Sequence, residues 1–116
     1  MRHPERLQGV PAGVSIERDW RLLIRADCDA VIIATPAAAH VAMLDACLDA
    51  RKPCIVEKPL CLDVHTAERL HRRAAAAHVP VLVAHTPRFH PASQALKRAL
   101  AAAGEKVRVI FSEGVD

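Results

Sequence analysis

The stretch Pro53-Cys54-Ile55-Val56-Glu57-Lys58-Pro59 decides the fold. Its apolar part, Cys54 to Val56, is too short for a buried helix and fits a core strand, and a carboxylate and an ammonium follow where that strand must stop. Pro59 enforces the stop. It lacks a backbone donor and disfavours helical geometry at the residue before it, so Glu57 and Lys58 are expected extended on a fixed turn. At the carboxyl end of a strand in an open α/β sheet, such a turn is where ligands bind. Taken alone, a Glu-Lys pair at a strand end is more simply a solvated ion pair of little energetic weight, so the flanking pattern has to decide.

Upstream, Ala30-Val31-Ile32-Ile33-Ala34 is an unbroken apolar run closed by Thr35-Pro36, which predicts a strand buried on both faces of a parallel sheet. Between the two strands, residues 40–50 place Val41, Leu44, Cys47 and Leu48 on one helical face, with Arg51 and Lys52 as cations at its carboxyl end. Before the first strand, residues 18–26 read as a short amphipathic helix with Trp20, Leu23 and Ile24 inward. Residues 1–14, with Pro4, Gly9, Pro11 and Gly13, read as irregular chain that ends in a short extended piece at Val14-Ser15-Ile16.

Downstream, Asp63 is a good cap for a helix over 64–78, whose stripe is Val64, Ala67, Leu70, Ala74 and Ala77. Its other face carries Glu68, Arg69, Arg72 and Arg73, most simply a solvated face and alternatively a basic docking patch. A third strand over 79–84 is closed by His85-Thr86-Pro87-Arg88-Phe89-His90. Pro91 opens a helix to Ala103 with Ala92, Ala95, Leu96, Ala99 and Ala103 inward, Gly104 ends it, and Val107 to Ser112 reads as a further strand. Strands alternating with helices at this spacing imply right-handed crossovers. The expected class is α/β: a parallel sheet with helices on both faces.

The composition narrows what the chain does. Of its 116 residues 52% are hydrophobic but 3% aromatic, so the core must come from Ala, Val, Leu and Ile. A formal charge of +3 with no Tyr offers no platform for stacking bases, and no nucleic-acid partner is expected. Cys28, Cys47, Cys54 and Cys61 have no Cys-x-x-Cys spacing, so no metal site is expected and the thiols suit a reducing cytoplasm. No apolar segment of signal or membrane length is present, so neither export nor membrane insertion is expected.

Three turns follow the three predicted strands: Thr35-Pro36-Ala37, Glu57-Lys58-Pro59 and His85-Thr86-Pro87-Arg88. In a parallel sheet they open on one edge and make a crevice. Lys58 is the ammonium among them; Glu57 is expected to fix its position, and burial to tune it for proton transfer. His40, near a helix start, is either a half-buried capping residue or a contact to an anionic ligand. Arg88 can pair with phosphate or carboxylate, or bridge its loop to an acidic neighbour.

These residues, Asp29 to Thr35-Pro36 with His40 four positions beyond the proline, then Glu57-Lys58-Pro59, then Arg88-Phe89 with Pro91, resemble the glucose-fructose oxidoreductase, inositol dehydrogenase and MocA family (Gfo/Idh/MocA). The resemblance covers about residues 14–112 and implies an NAD(P)-dependent oxidoreductase acting on a sugar or cyclitol-type substrate. It implies an incomplete Rossmann-type domain over 1–104 that lacks the Gly-rich first βαβ unit, with 105–116 as the first strand leading into a second domain. By it, Thr35, Pro36 and His40 line the nicotinamide and ribose of NAD or NADP, and Glu57, Lys58 and Pro59 sit beside the nicotinamide. Lys58 would then contact substrate and assist proton transfer, and Arg88 would border the cofactor.

The departures are specific. Glycine stands only at positions 9, 13, 104 and 114, so no Gly-x-Gly-x-x-Gly turn is present, and Ala37 and Thr86 replace residues that are commonly Asn in the family. The simplest expectation is a piece of a larger oxidoreductase, inactive alone, whose exposed sheet edge favours a homo-oligomer. The alternative is a non-catalytic oligomerisation or partner-binding module derived from such an enzyme.

Overall fold

The computed structural model describes residues 9–104 of the chain, so the strand expected over 107–112 lies outside the described residues. These fall into two compact units, one ending at Ala84 and one beginning at His85. The first unit runs α1 (Trp20–Arg25), β1 (Val31–Ile33), α2 (Ala37–Asp49), β2 (Cys54–Glu57), α3 (Val64–Ala77) and β3 (Val81–Ala84). No strand forms at 14–16.

Each boundary has a local cause. The Asp63 carboxylate accepts the backbone N–H of Thr66 at 2.8 Å and so satisfies one of the free donors that open α3. Asp19 does the same for α1 from the N–H of Arg21 at 3.0 Å. Helix α2 begins three residues earlier than expected, directly behind Pro36, whose fixed φ of −58° precedes a run of three alanines. At its far end the cations do not sit on the last turn. Lys52 instead reaches the carbonyl oxygens of Ala26 (3.2 Å) and Cys28 (2.5 Å), tying the loop after α1 to the approach of β2.

The three strands form a parallel sheet in the order β1-β2-β3. Register aligns Val31 with Cys54 and Val81, and Ile33 with Val56 and Val83. This face meets Leu44, Cys47 and Leu48 of α2, Leu70 of α3 and Ile24 of α1 in one aliphatic core. Successive crossovers in one direction place α2 and α3 on the same face, as right-handed connections require. The intervening row, Ile32, Ile55 and Leu82, lies on the other face and is 73%, 38% and 57% exposed. The strands are therefore buried on one face within this unit, not on both; the helices described in it all lie on the opposite side.

Cys47 and Cys54 are buried in that core, where a hydrogen bond between the two thiols and burial push Cys47 well above the ordinary thiol range. They act as small hydrophobes. On the charged face of α3, Glu68 and Arg72 stay solvent-exposed as a loose pair at 3.8 Å, whereas Arg69 and Arg73 turn to α2. Arg69 forks onto Asp45 of α2 at 2.8 and 3.0 Å, and Arg73 bonds both Asp45 and Asp49, the latter at 2.6 Å. The guanidinium of Arg69 and then that of Arg73 hold the Asp45 carboxyl below its ordinary range.

The second unit contains a 3₁₀ turn (Thr86–Phe89) and α4 (Pro91–Ala103). His90 caps α4 by accepting the Ala92 N–H at 3.2 Å, and Gly104 ends it at φ 64°, as the sequence predicts. The stripe expected inward, Ala92, Ala95, Leu96, Ala99 and Ala103, is exposed, because one turn and one helix are too little chain to bury it.

Leu44, 1% exposed, should cost about 2–5 kcal/mol in urea unfolding when cut to alanine, whereas the same change at Leu82 should stay within about 0.5 kcal/mol. Equal losses would contradict a one-sided core. Because the folded-state pKa of Asp45 is depressed, its contribution is full above the ordinary value of 3.8 and is lost as pH falls through the lower folded value. The stability gap between the native chain and Asp45→Asn should accordingly narrow below about pH 4. A gap that widens in acid would show the wrong sign.

Candidate functional site

Parallel pairing puts the carboxyl ends of β1, β2 and β3 on one edge. At that edge the Thr35-Pro36 turn leads into α2, and the Glu57-Lys58-Pro59 turn leads away from β2. The side chain of His40, on the first turn of α2, holds them together. Its ring is 1% exposed, with Nε2 2.7 Å from the carbonyl oxygen of Thr35 and Nδ1 2.9 Å from that of Pro59. One buried imidazole thus spans two turns that are far apart in sequence.

This placement answers the question the sequence left open about His40. The ring is neither half-buried nor a helix cap: it is sealed inside, and both nitrogens are engaged by backbone. Thr35 is half-buried and its hydroxyl donates to the Met43 sulfur at 3.5 Å. Pro36 is exposed. No side chain caps α2, and its first turn is built from Ala37, Ala38 and Ala39, so backbone N–H groups at this end are approachable at close range.

Glu57, Lys58 and Pro59 are all exposed, with a cis peptide bond between Lys58 and Pro59. Among the described residues no ion pair joins Glu57 to Lys58. Neighbours on an extended chain project to opposite sides, which is why adjacency in sequence does not give contact. The burial expected around Lys58 is likewise not provided by the first unit. Arg88 lies in the second unit, exposed on the 3₁₀ turn Thr86–Phe89.

The apolar groove of about 490 Å³ lined by Leu44, Leu60, Leu70, Val79 and Val81 is elsewhere, between the helices and the β3 side of the sheet. It lacks an ammonium or carboxylate. No group of three or more His, Cys, Asp or Glu among the described residues is placed to hold a metal ion. What the sequence could not reveal is the pairing of His40 with two carbonyls 19 and 5 residues away, since neither acceptor has a side-chain signature.

An NAD-type dinucleotide can be tested against this edge. An uncapped helix start with small side chains and an exposed amine on a pinned turn suit the nicotinamide and ribose end. The glycine-rich turn that would let a pyrophosphate approach the backbone has no counterpart in the sequence.

Comparison with known proteins agrees with this architecture. The family model of Gfo/Idh/MocA, described as an oxidoreductase family with an NAD-binding Rossmann fold, matches residues 2–85. The chain is 39% identical over 97 residues to inositol 2-dehydrogenase of Mycolicibacterium smegmatis, covering 83% of this chain and 28% of that protein. It is 38% identical over 74 residues to UDP-N-acetylglucosamine 3-dehydrogenase of Acidithiobacillus ferrooxidans, covering 64% of this chain and 24% of the other. A crystal structure from Magnetospirillum magnetotacticum MS-1 aligns with a TM-score of 0.78 at 45% identity, over 84% of this chain and 32% of that one. The chain thus spans about a quarter to a third of the length of these relatives. With the sheet order, the strand-end turns and a family match over 2–85 in agreement, the chain belongs to the Gfo/Idh/MocA oxidoreductase family with its NAD-binding Rossmann fold.

Proposed function

We propose that this chain is the nicotinamide-side half of the dinucleotide domain of an NAD(P)-dependent oxidoreductase that acts on a sugar or cyclitol-type alcohol or carbonyl. The observation that carries the reading is the pinning of the Glu57-Lys58-Pro59 turn to the Thr35-Pro36 turn at the carboxyl edge of a parallel sheet. Relatives named for inositol and for UDP-N-acetylglucosamine support the substrate class. The bound nicotinamide would supply or take the hydride.

The chain's own residues do the rest. The pinned turn orients Lys58, whose ammonium donates a hydrogen bond to the reacting oxygen of the substrate and exchanges a proton there as the carbon changes oxidation state. Thr35, Pro36 and the alanine start of α2 bound the nicotinamide, and exposed Glu57 and Pro59 border it on the other side. His40 acts behind this surface. The family resemblance would also assign Arg88 to the cofactor. The segment from 105 would begin the second domain, and four unpaired cysteines suit a reducing cytoplasm. With no glycine-rich turn in its sequence, the 116-residue chain would not turn over alone.

One observation favours a second role, that of an oligomerising or partner-binding module. The Ile32, Ile55 and Leu82 row is a contiguous exposed apolar patch. Analytical ultracentrifugation of the chain beside Leu82→Asp should then show an assembly that the variant loses, and a monomer in both cases would dismiss this role.

In the complete oxidoreductase that carries this sequence, Lys58→Ala should lower kcat by about 10²- to 10⁴-fold, the usual weight of a positioned acid or base, with KM for the nucleotide nearly unchanged. An unaltered kcat would remove Lys58 from the chemistry.

A further inference from the structure

The geometry around His40 carries a consequence beyond filling space. A carbonyl oxygen only accepts, and a neutral imidazole donates through one nitrogen and offers a bare lone pair on the other. With Thr35 O at 2.7 Å from Nε2 and Pro59 O at 2.9 Å from Nδ1, one contact would be lone pair against lone pair in either neutral tautomer. The ring is 1% exposed, so water cannot relieve it.

We propose that His40 is a positioning residue that donates from both ring nitrogens, as an imidazolium, and so fixes the distance between the Thr35-Pro36 turn and the turn that carries Lys58. Removing one ring proton leaves one carbonyl without its donor and frees that turn. The pairing of the two turns is thereby coupled to the protonation of a single buried side chain.

Among the described residues no carboxylate bonds the ring. The end of β1 brings Thr35 and Pro36, and the turn after β2 brings Glu57 and Lys58, both exposed. On the faces that α2 turns to its neighbouring helices, Asp45 and Asp49 are taken by Arg69 and Arg73 of α3, while α1 contributes Arg21 and Arg25. None of these bonds the ring. The two carbonyl dipoles therefore stand as its partners, an arrangement that serves to place backbone rather than to contact a ligand.

The proposal deepens the functional reading only in saying what holds Lys58 in place, and its test needs neither cofactor nor turnover. In ¹⁵N,¹³C-labelled chain, a long-range ¹H–¹⁵N correlation of the His40 ring at neutral pH should show both nitrogens in the protonated position. Raising pH further should shift the carbonyl ¹³C signals of Thr35 and Pro59 together with the ring, and His40→Gln should lose that joint shift. A single neutral tautomer, or one carbonyl moving without the other, would overturn the proposal. Should His40→Gln fail to fold, the titration of the native chain decides alone. A failed ring assignment leaves the role of Lys58 standing, whereas a catalytically silent Lys58 leaves the ring assignment standing.

Discussion

The structure depends on an imidazole sealed between two backbone carbonyls. Hydrogen bonds of this kind contribute only about 0.5–1.5 kcal/mol each, yet removing one partner from a buried pair costs about 1–3 kcal/mol per orphaned group. His40 serves two acceptors at once, so its loss would strand Thr35 O and Pro59 O together. Those carbonyls lie just past the ends of adjacent parallel strands, where the sheet no longer supplies donors. The side chain continues the ladder where β1 and β2 have ended, and so the exposed Lys58 stands on ordered backbone.

Around that point the first unit is asymmetric. One face of the sheet is closed by α1, α2 and α3 through an aliphatic core in which two free thiols serve as ordinary packing groups. The other presents Ile32, Ile55 and Leu82 in register. The ion pairs of Asp45 and Asp49 with Arg69 and Arg73 clamp α2 to α3 on the covered side, and they bind the helix that carries His40 to its neighbour. Sheet end, helix start and helix flank are thus linked through α2.

Much of this was legible where the signal is local. Asp63, Pro91 and Gly104 marked helix ends because a cap, a fixed φ and a left-handed residue each act within a turn of the chain. The three described strands announced themselves as apolar runs bounded by prolines. Which face of those strands is covered did not, because an all-apolar run carries no alternation to distinguish Ile32 from Ile33. The start of α2 was misplaced by three residues because Ala37 to Ala39 carry no polar cap to mark it. The partners of Lys52, Arg69 and Arg73 lie 24 to 28 residues away and depend on the tertiary packing. At the site, the turn residues could be named from the sequence, and the family match over 2–85 agrees with the class they implied. That His40 faces backbone could not be read there.

The central claim is that the two pinned turns present one surface to a dinucleotide. The direct measurement is a titration of the ¹⁵N-labelled chain with NADH, followed residue by residue up to millimolar nucleotide. The account predicts that amide shifts concentrate at residues 35–40 and 57–58 and spare the groove lined by Leu44, Leu70 and Val79. Shifts centred on that groove, or none anywhere at millimolar NADH, would contradict it.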